Sequence, residues 1–116
     1  MPITTKYLFM VSMDVVEEKE ALFNEIYDTE HVPLLLKVPG VRAVSRMKTE
    51  PAAFNIGGER KVLDGGSEPQ YVAIYEIDSL DVLLSQEWAE AVEKGRWPSE
   101  VRPFTSNRRH VVRKVI

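Results

Sequence analysis

From Tyr7 to Met13 the chain is apolar in both phases of a two-residue repeat. Tyr7, Phe9, Val11 and Met13 fall on one face and Leu8 and Met10 on the other, the pattern of a strand covered on both sides. After Asp14, the acidic run Glu17-Glu18-Lys19-Glu20 suits the positive end of a helix dipole and predicts a helix starting near Glu17. Leu22, Phe23, Ile26, Tyr27, Leu34 and Leu35 recur at helical spacing and form one apolar stripe. Pro33 lacks an N–H and disfavours helix at Val32, so a kink or a fresh start is expected there. The helix ends at Val38-Pro39-Gly40, and Val41 to Met47 reads as a strand of mixed polarity carrying Arg42 and Arg46 on one side. Glu50 to Pro69, with Gly57-Gly58 and Gly65-Gly66, reads as a long loop, either a lid or a disordered excursion. Tyr71 to Ile77 is a strand rich in β-branched and aromatic residues. Asp78 or Ser79 can cap a second helix whose stripe of Val82, Leu83, Trp88, Ala89 and Val92 ends at Lys94-Gly95. Trp97-Pro98 forces a turn, and Arg109 to Ile116 alternates as a last strand.

The order is strand, helix, strand, strand, helix, strand. It predicts an α+β fold of the ferredoxin-like βαββαβ type, an antiparallel sheet with both helices on one face. Two helices cover only one face, yet the first strand is apolar on both, so the open face needs a second cover. Another copy of the sheet meets that need, and a homodimer is expected.

Composition narrows the chemistry. The chain, 116 residues long and 44% hydrophobic, is expected to form a single domain over 1–116 with a core of its own. The absence of cysteine removes disulfides, thiolate nucleophiles and Cys-ligated metals. With 15 basic against 18 acidic side chains, a net charge of −3 gives no electrostatic pull toward nucleic acid. The N-terminal residues lack the pattern of a signal peptide, and no apolar stretch is long enough for a bilayer. No membrane association and a cytoplasmic location are therefore expected. No Gly-rich phosphate loop, metal-ligand spacing or nucleophile-elbow sequence is present, so neither a cofactor nor a metal is expected.

His31 lies four residues after Tyr27 and eight after Phe23, which carries it along the inward stripe. A histidine there either bonds a backbone carbonyl in the core or lines a cavity, where it can move protons or orient a substrate. Tyr7, Tyr27 and Tyr75 offer phenols to a ligand carbonyl or hydroxyl, Trp97 offers a wall, and Arg46 offers a guanidinium for a carboxylate. Asp28 and Glu30 reach His31 only if the helix bends at Pro33. Arg108, Arg109, Arg113 and His110 cluster in the last strand.

The run Tyr27-Asp28-Thr29-Glu30-His31-Val32-Pro33-Leu34, followed by Val38-Pro39-Gly40-Val41, resembles the first-helix signature of the EthD-like families in the dimeric α/β-barrel superfamily. In those families a polar residue, His, a small or apolar residue, Pro and Leu precede a Pro-Gly turn. The resemblance implies protomers that dimerise through their sheets into an α/β barrel, with a pocket for a small-molecule ligand. It implies cofactor-free isomerase, cyclase, lyase or monooxygenase chemistry, while other members bind haem. Only His31 carries over by position, as the catalytic candidate. A non-catalytic ligand-binding or structural homodimer of the same fold is the alternative.

Overall fold

The computed structural model of the chain describes residues 3–116. Strand β1 (Tyr7–Val15) lies inside the sheet, between β5 (Tyr71–Ile77) and β6 (Thr105–Lys114), and β2 (Val41–Lys48) closes the far edge in the order β2-β5-β1-β6. All three pairings are antiparallel. Phe9 stands opposite Tyr75 and Val11 opposite Ala73 and His110, so odd-numbered residues of β1 and β5 share one face.

The helices cover that face. The first helical segment comprises α1 (Glu20–Ile26), a π turn (Tyr27–His31) and α2 (Val32–Leu36), and the second is α3 (Gln86–Ala91). Phe23, Ile26, Leu35, Ile77 and Val101 are at most 1% exposed and form the centre of the core. Each such side chain contributes about 1.5–3 kcal/mol by leaving water. The other face carries Leu8, Met10, Val72, Ile74, Val111 and Met47, with Met47 49% and Val111 38% exposed and the others half-buried.

The fresh start expected at Pro33 takes the form of a change of helix type: the π turn, closed by the Val32 N–H on the Tyr27 carbonyl five residues back, gives way at Val32 to α2, with Pro33 in its first turn. The structure corrects the sequence reading at three places. The second helix is not continuous: a 3₁₀ turn (Leu80–Leu84) precedes extended Ser85, whose Oγ accepts from the Trp88 N–H at 3.1 Å and starts α3. The expected loop contains a hairpin, β3 (Ala52–Ile56) and β4 (Glu59–Leu63). Gly57 and Gly58 have φ of 59° and 79°, the two positive angles that a tight hairpin turn demands. Last, β6 begins at Thr105 rather than Arg109, continuing through a bulge opposite Ser12 to Asp14.

Gly40 fixes how α2 hands over to β2. Its φ is +93°, its carbonyl accepts from the Asp78 N–H at 2.9 Å, and a Cβ there would collide with Val82. The unfavourable φ costs about 1–2 kcal/mol and overpacking about 1–3 kcal/mol. Gly40→Ala should therefore lose about 2–4 kcal/mol in urea unfolding, and the loss should fall to about 1–2 kcal/mol in a Val82→Ala background. Equal losses in both backgrounds would show that the collision is not the constraint.

Candidate functional site

Between the sheet and the helices lies a cavity of about 240 Å³. Its floor is Phe9, Val11 and Met13 of β1 with Tyr75 of β5, and its walls come from the helical layer. Tyr27 and His31 stand at the two ends of the π turn, both buried at 2% and 5% exposure. Trp97 begins a second π turn (Trp97–Val101), in which the Arg102 N–H bonds the Trp97 carbonyl. The imidazole of His31 stacks on the Trp97 indole with centroids 4.6 Å apart and planes 23° apart. Tyr27 meets both rings edge-on at 5.1 Å.

This packing sets the protonation of His31. Burial, helped by the Arg102 charge, lowers its pKa from 6.5 to about 4, so the ring is neutral at pH 7. His31 Nδ1 is the only buried side-chain nitrogen or oxygen without a hydrogen-bond partner among the described residues. No carboxylate orients the ring. Asp28 instead binds Arg46 at 2.6 Å, and Glu30 accepts from the Arg96 backbone N–H at 3.0 Å and its Nε at 2.6 Å. The Arg96 backbone and side-chain bonds hold the Glu30 carboxyl below its ordinary pKa.

The phenol oxygens of Tyr27 and Tyr75 are 2.9 Å apart. Burial pushes the Tyr27 pKa up to about 12 and Tyr75 well above its ordinary value, so both stay protonated. The pair holds two O–H groups and spends one on their mutual bond. The second O–H has no protein acceptor among the described residues.

Of the sequence candidates, His31, Tyr27, Tyr75 and Trp97 come together around the cavity. Tyr7 and Arg46 do not. Tyr7 shares the face of Phe9 but sits at the start of β1, opposite Ile77 and Lys114, and packs against the core. Arg46 lies outside the cavity with its guanidinium 4.5 Å from the Tyr27 ring centre, held by Asp28 and by Asn24 Oδ1 at 2.7 Å. Its position is set by helix partners that strand alternation does not reveal. Phe9 and Arg102 were not singled out for the site from the sequence, and Trp88, Arg108 and His110 were placed only by element, in the second helix's stripe and in the basic cluster of the last strand; all five line the cavity. Phe9 and Trp88 were legible as inward-facing aromatics from the strand face and the helix stripe they belong to, and their rings meet at 5.8 Å. Among the described residues there is no cluster of metal-ligating side chains, and no helix is long and apolar enough to cross a membrane.

Taken together, the fold and site define an α+β protein with an aromatic cavity enclosed between an antiparallel sheet and its helices. No protein-family profile matches the chain, and no curated protein matches it in sequence. Solved structures do. An ethyl tert-butyl ether D (EthD) family protein from Bacillus halodurans superposes with TM-score 0.57 at 15% identity over 95% of this chain and 99% of that one. A dimeric protein of unknown function and ferredoxin-like fold from Bacteroides fragilis gives 0.57 at 16% identity over 97% and 99%. The haem degrader MhuD of Mycobacterium tuberculosis, solved with two haems in its active site, gives 0.59 at 12% identity over 95% of both chains. The chain has the ferredoxin-like fold that the sequence order predicts.

The depressed pKa of His31 has a consequence for stability. Between pH 6.5 and about 4 the unfolded chain binds a proton at His31 and the folded chain does not. Stability from this residue is thus complete above pH 6.5 and is lost as pH falls toward 4, by about 3 kcal/mol. Urea unfolding of wild type and His31→Phe at pH 7.5 and pH 4 checks this: wild type should lose about 3 kcal/mol more than the variant. Equal losses would mean that the ring is not held neutral.

Proposed function

We propose that the protein is a cytoplasmic, cofactor-free enzyme acting on an apolar or aromatic metabolite of one or two rings, in which His31 transfers a proton or orients the substrate. The observation that carries this reading is a buried, neutral imidazole with a partnerless ring nitrogen in the wall of an aromatic cavity. An unmet buried polar atom costs about 1–3 kcal/mol, a cost that a purely structural role does not explain. The isomerase, cyclase, lyase and monooxygenase types all begin with such a proton transfer or placement. Tyr27 and Tyr75 supply a neutral donor for a substrate oxygen, and Trp97, Trp88 and Phe9 supply faces for its ring.

Haem is held by the mycobacterial neighbour, but the buried histidine of this cavity is stacked on Trp97 with its Nδ1 enclosed, which makes a one- or two-ring ligand the better match to a space of about 240 Å³, larger than the roughly 150 Å³ that accommodates a benzene. One observation favours the alternative, a non-catalytic ligand-binding protein: with Asp28 and Glu30 committed to arginines, His31 is a weak base.

The second part of the reading is a homodimer through the open sheet face, supported by its apolar centre of Leu8, Met10, Val72 and Ile74 and by the dimeric neighbour from Bacteroides fragilis. The exposed hairpin, with Phe54, Ile56 and Leu63 on one face, is a further surface for the partner. Light scattering at micromolar concentration should give twice the chain mass for wild type and the single mass for Ile74→Asp. A monomeric wild type would remove the dimer.

Solvent exchange tests the chemistry. Small aromatic acids, lactones and quinones that stabilise wild type in a thermal-shift screen are incubated in D₂O and analysed by mass. Wild type should incorporate deuterium or convert at least one ligand, and His31→Phe should lower that rate by about 100-fold or more. Ligands that bind both proteins without exchange or conversion would establish the non-catalytic reading instead.

A further inference from the structure

The mouth of the cavity carries cations and no anion. Arg102 and Arg108 line it beside His110, and no carboxylate does, although the chain has 18 acidic side chains and a net charge of −3. Arg102 is already committed, to Glu93 Oε2 at 3.0 Å and to the Val92 carbonyl at 2.9 Å. Arg108 has no hydrogen bond or ion pair from its side chain among the described residues. Its neighbour Arg109 turns to the opposite face, where it binds Glu68 at 3.0 Å, and Arg113 stands opposite Leu8 on that same face.

Arg108 shares the inward face of His110 by strand alternation, and a bulge in β6 lets Thr105 face inward as well. Thr105 and Arg108 are three residues apart, so a regular strand would point them to opposite faces. Thr105 nevertheless faces the core opposite Val15, and Arg108 faces the cavity. The extra residue is Asn107, with φ of 51°, the only positive φ outside glycine among the described residues. Its Nδ2 donates to Asp14 Oδ2 at 3.1 Å and to the Ser67 carbonyl at 3.2 Å, which holds the bulge in place. Bulges beside a site commonly re-aim one side chain in this way.

The inner end of the cavity is different. There the donor is the unspent O–H of the Tyr27 and Tyr75 pair, and the imidazole is neutral. We propose that the ligand is a small planar aromatic acid, its ring held between the aromatic walls, its carboxylate taken by Arg108 at the mouth, and a neutral hydroxyl or carbonyl at the tyrosine pair. This rests on the reading of the cavity as a ligand site and adds the charge and orientation of what enters. Guanidinium forks match carboxylate geometry, and an uncommitted one breaks no existing ion pair when it is recruited.

Both tryptophans of the chain line the cavity, so quenching of intrinsic fluorescence reports occupancy directly. Matched aromatic acids and their amides, with one or two rings and with or without a para hydroxyl, are titrated into wild type, Arg108→Gln and Arg109→Gln. Wild type should bind an acid about tenfold or more tightly than its amide, with the preference shrinking at high salt. Arg108→Gln should erase that preference by weakening the acid far more than the amide, whereas Arg109→Gln should behave as wild type. If amides bind as well as acids, or if Arg108→Gln weakens both equally, the anionic ligand is ruled out while the cavity stands as a ligand site. If neither acids nor amides quench, the ligand-site reading fails and this inference with it.

Discussion

The stack of His31 on Trp97 is the contact from which the rest of the site follows. It forms where two five-residue π turns meet, each next to or containing a proline, Pro33 after the first and Pro98 in the second. A wide turn has poorer hydrogen-bond geometry than an α-helical one and is retained where something compensates. Here the compensation is a contiguous aromatic cluster: Trp97 also packs on Phe23 at 5.9 Å and on Tyr27 at 5.1 Å. The same packing strips water from His31 and keeps its imidazole neutral. Ring packing and proton chemistry are therefore one property of this molecule.

The charged residues complete the arrangement from outside. The first helical segment is acidic, yet its carboxylates turn away from the cavity, Asp28 to Arg46 and Glu30 to Arg96. Had either faced His31, it would have favoured the imidazolium and raised the pKa that burial lowers. Arg46, seated on the outer side of the Tyr27 ring, supports the phenol pair without entering the cavity. Exposed pairs of this kind add little stability. Their effect is on placement, leaving a neutral interior and a basic mouth.

Much of this was legible in the sequence. Two-residue alternation found the strand faces, and four-residue spacing carried the inward stripe from Phe23 through Tyr27 to His31, even though the turn between the last two is wider than an α-helix. Alternation gives a face but not a depth along the strand, which is why Tyr7 and Phe9 were indistinguishable until Tyr7 fell opposite Ile77, beyond the cavity. The hairpin was hidden because its ten residues are all exposed and carry no burial pattern, and a Gly-Gly pair suits a loop as well as a turn. That Arg108 and Thr105 both face inward could not be read at all. It depends on a bulge anchored by Asp14 and Ser67, which lie far from Asn107 in sequence.

At 12–16% identity to its structural neighbours, the chain shares their backbone and not their side chains. What is particular to it must be sought in the register of β1, which has two consequences at once. The residues that put Phe9, Val11 and Met13 under the cavity also put Leu8 and Met10 on the open face. A slip of one residue would exchange the two sets. β6 reads that register from the other side, with His110 opposite Val11 and Val111 opposite Met10, and the bulge at Asn107 corrects its phase before Thr105 enters the core. In the dimer proposed above, covering Met10 and Val111 would hold the same ladder that directs His110 and Arg108 to the cavity mouth. Dimerisation and ligand binding would then be coupled through one pair of strands, without any residue of the open face reaching the cavity.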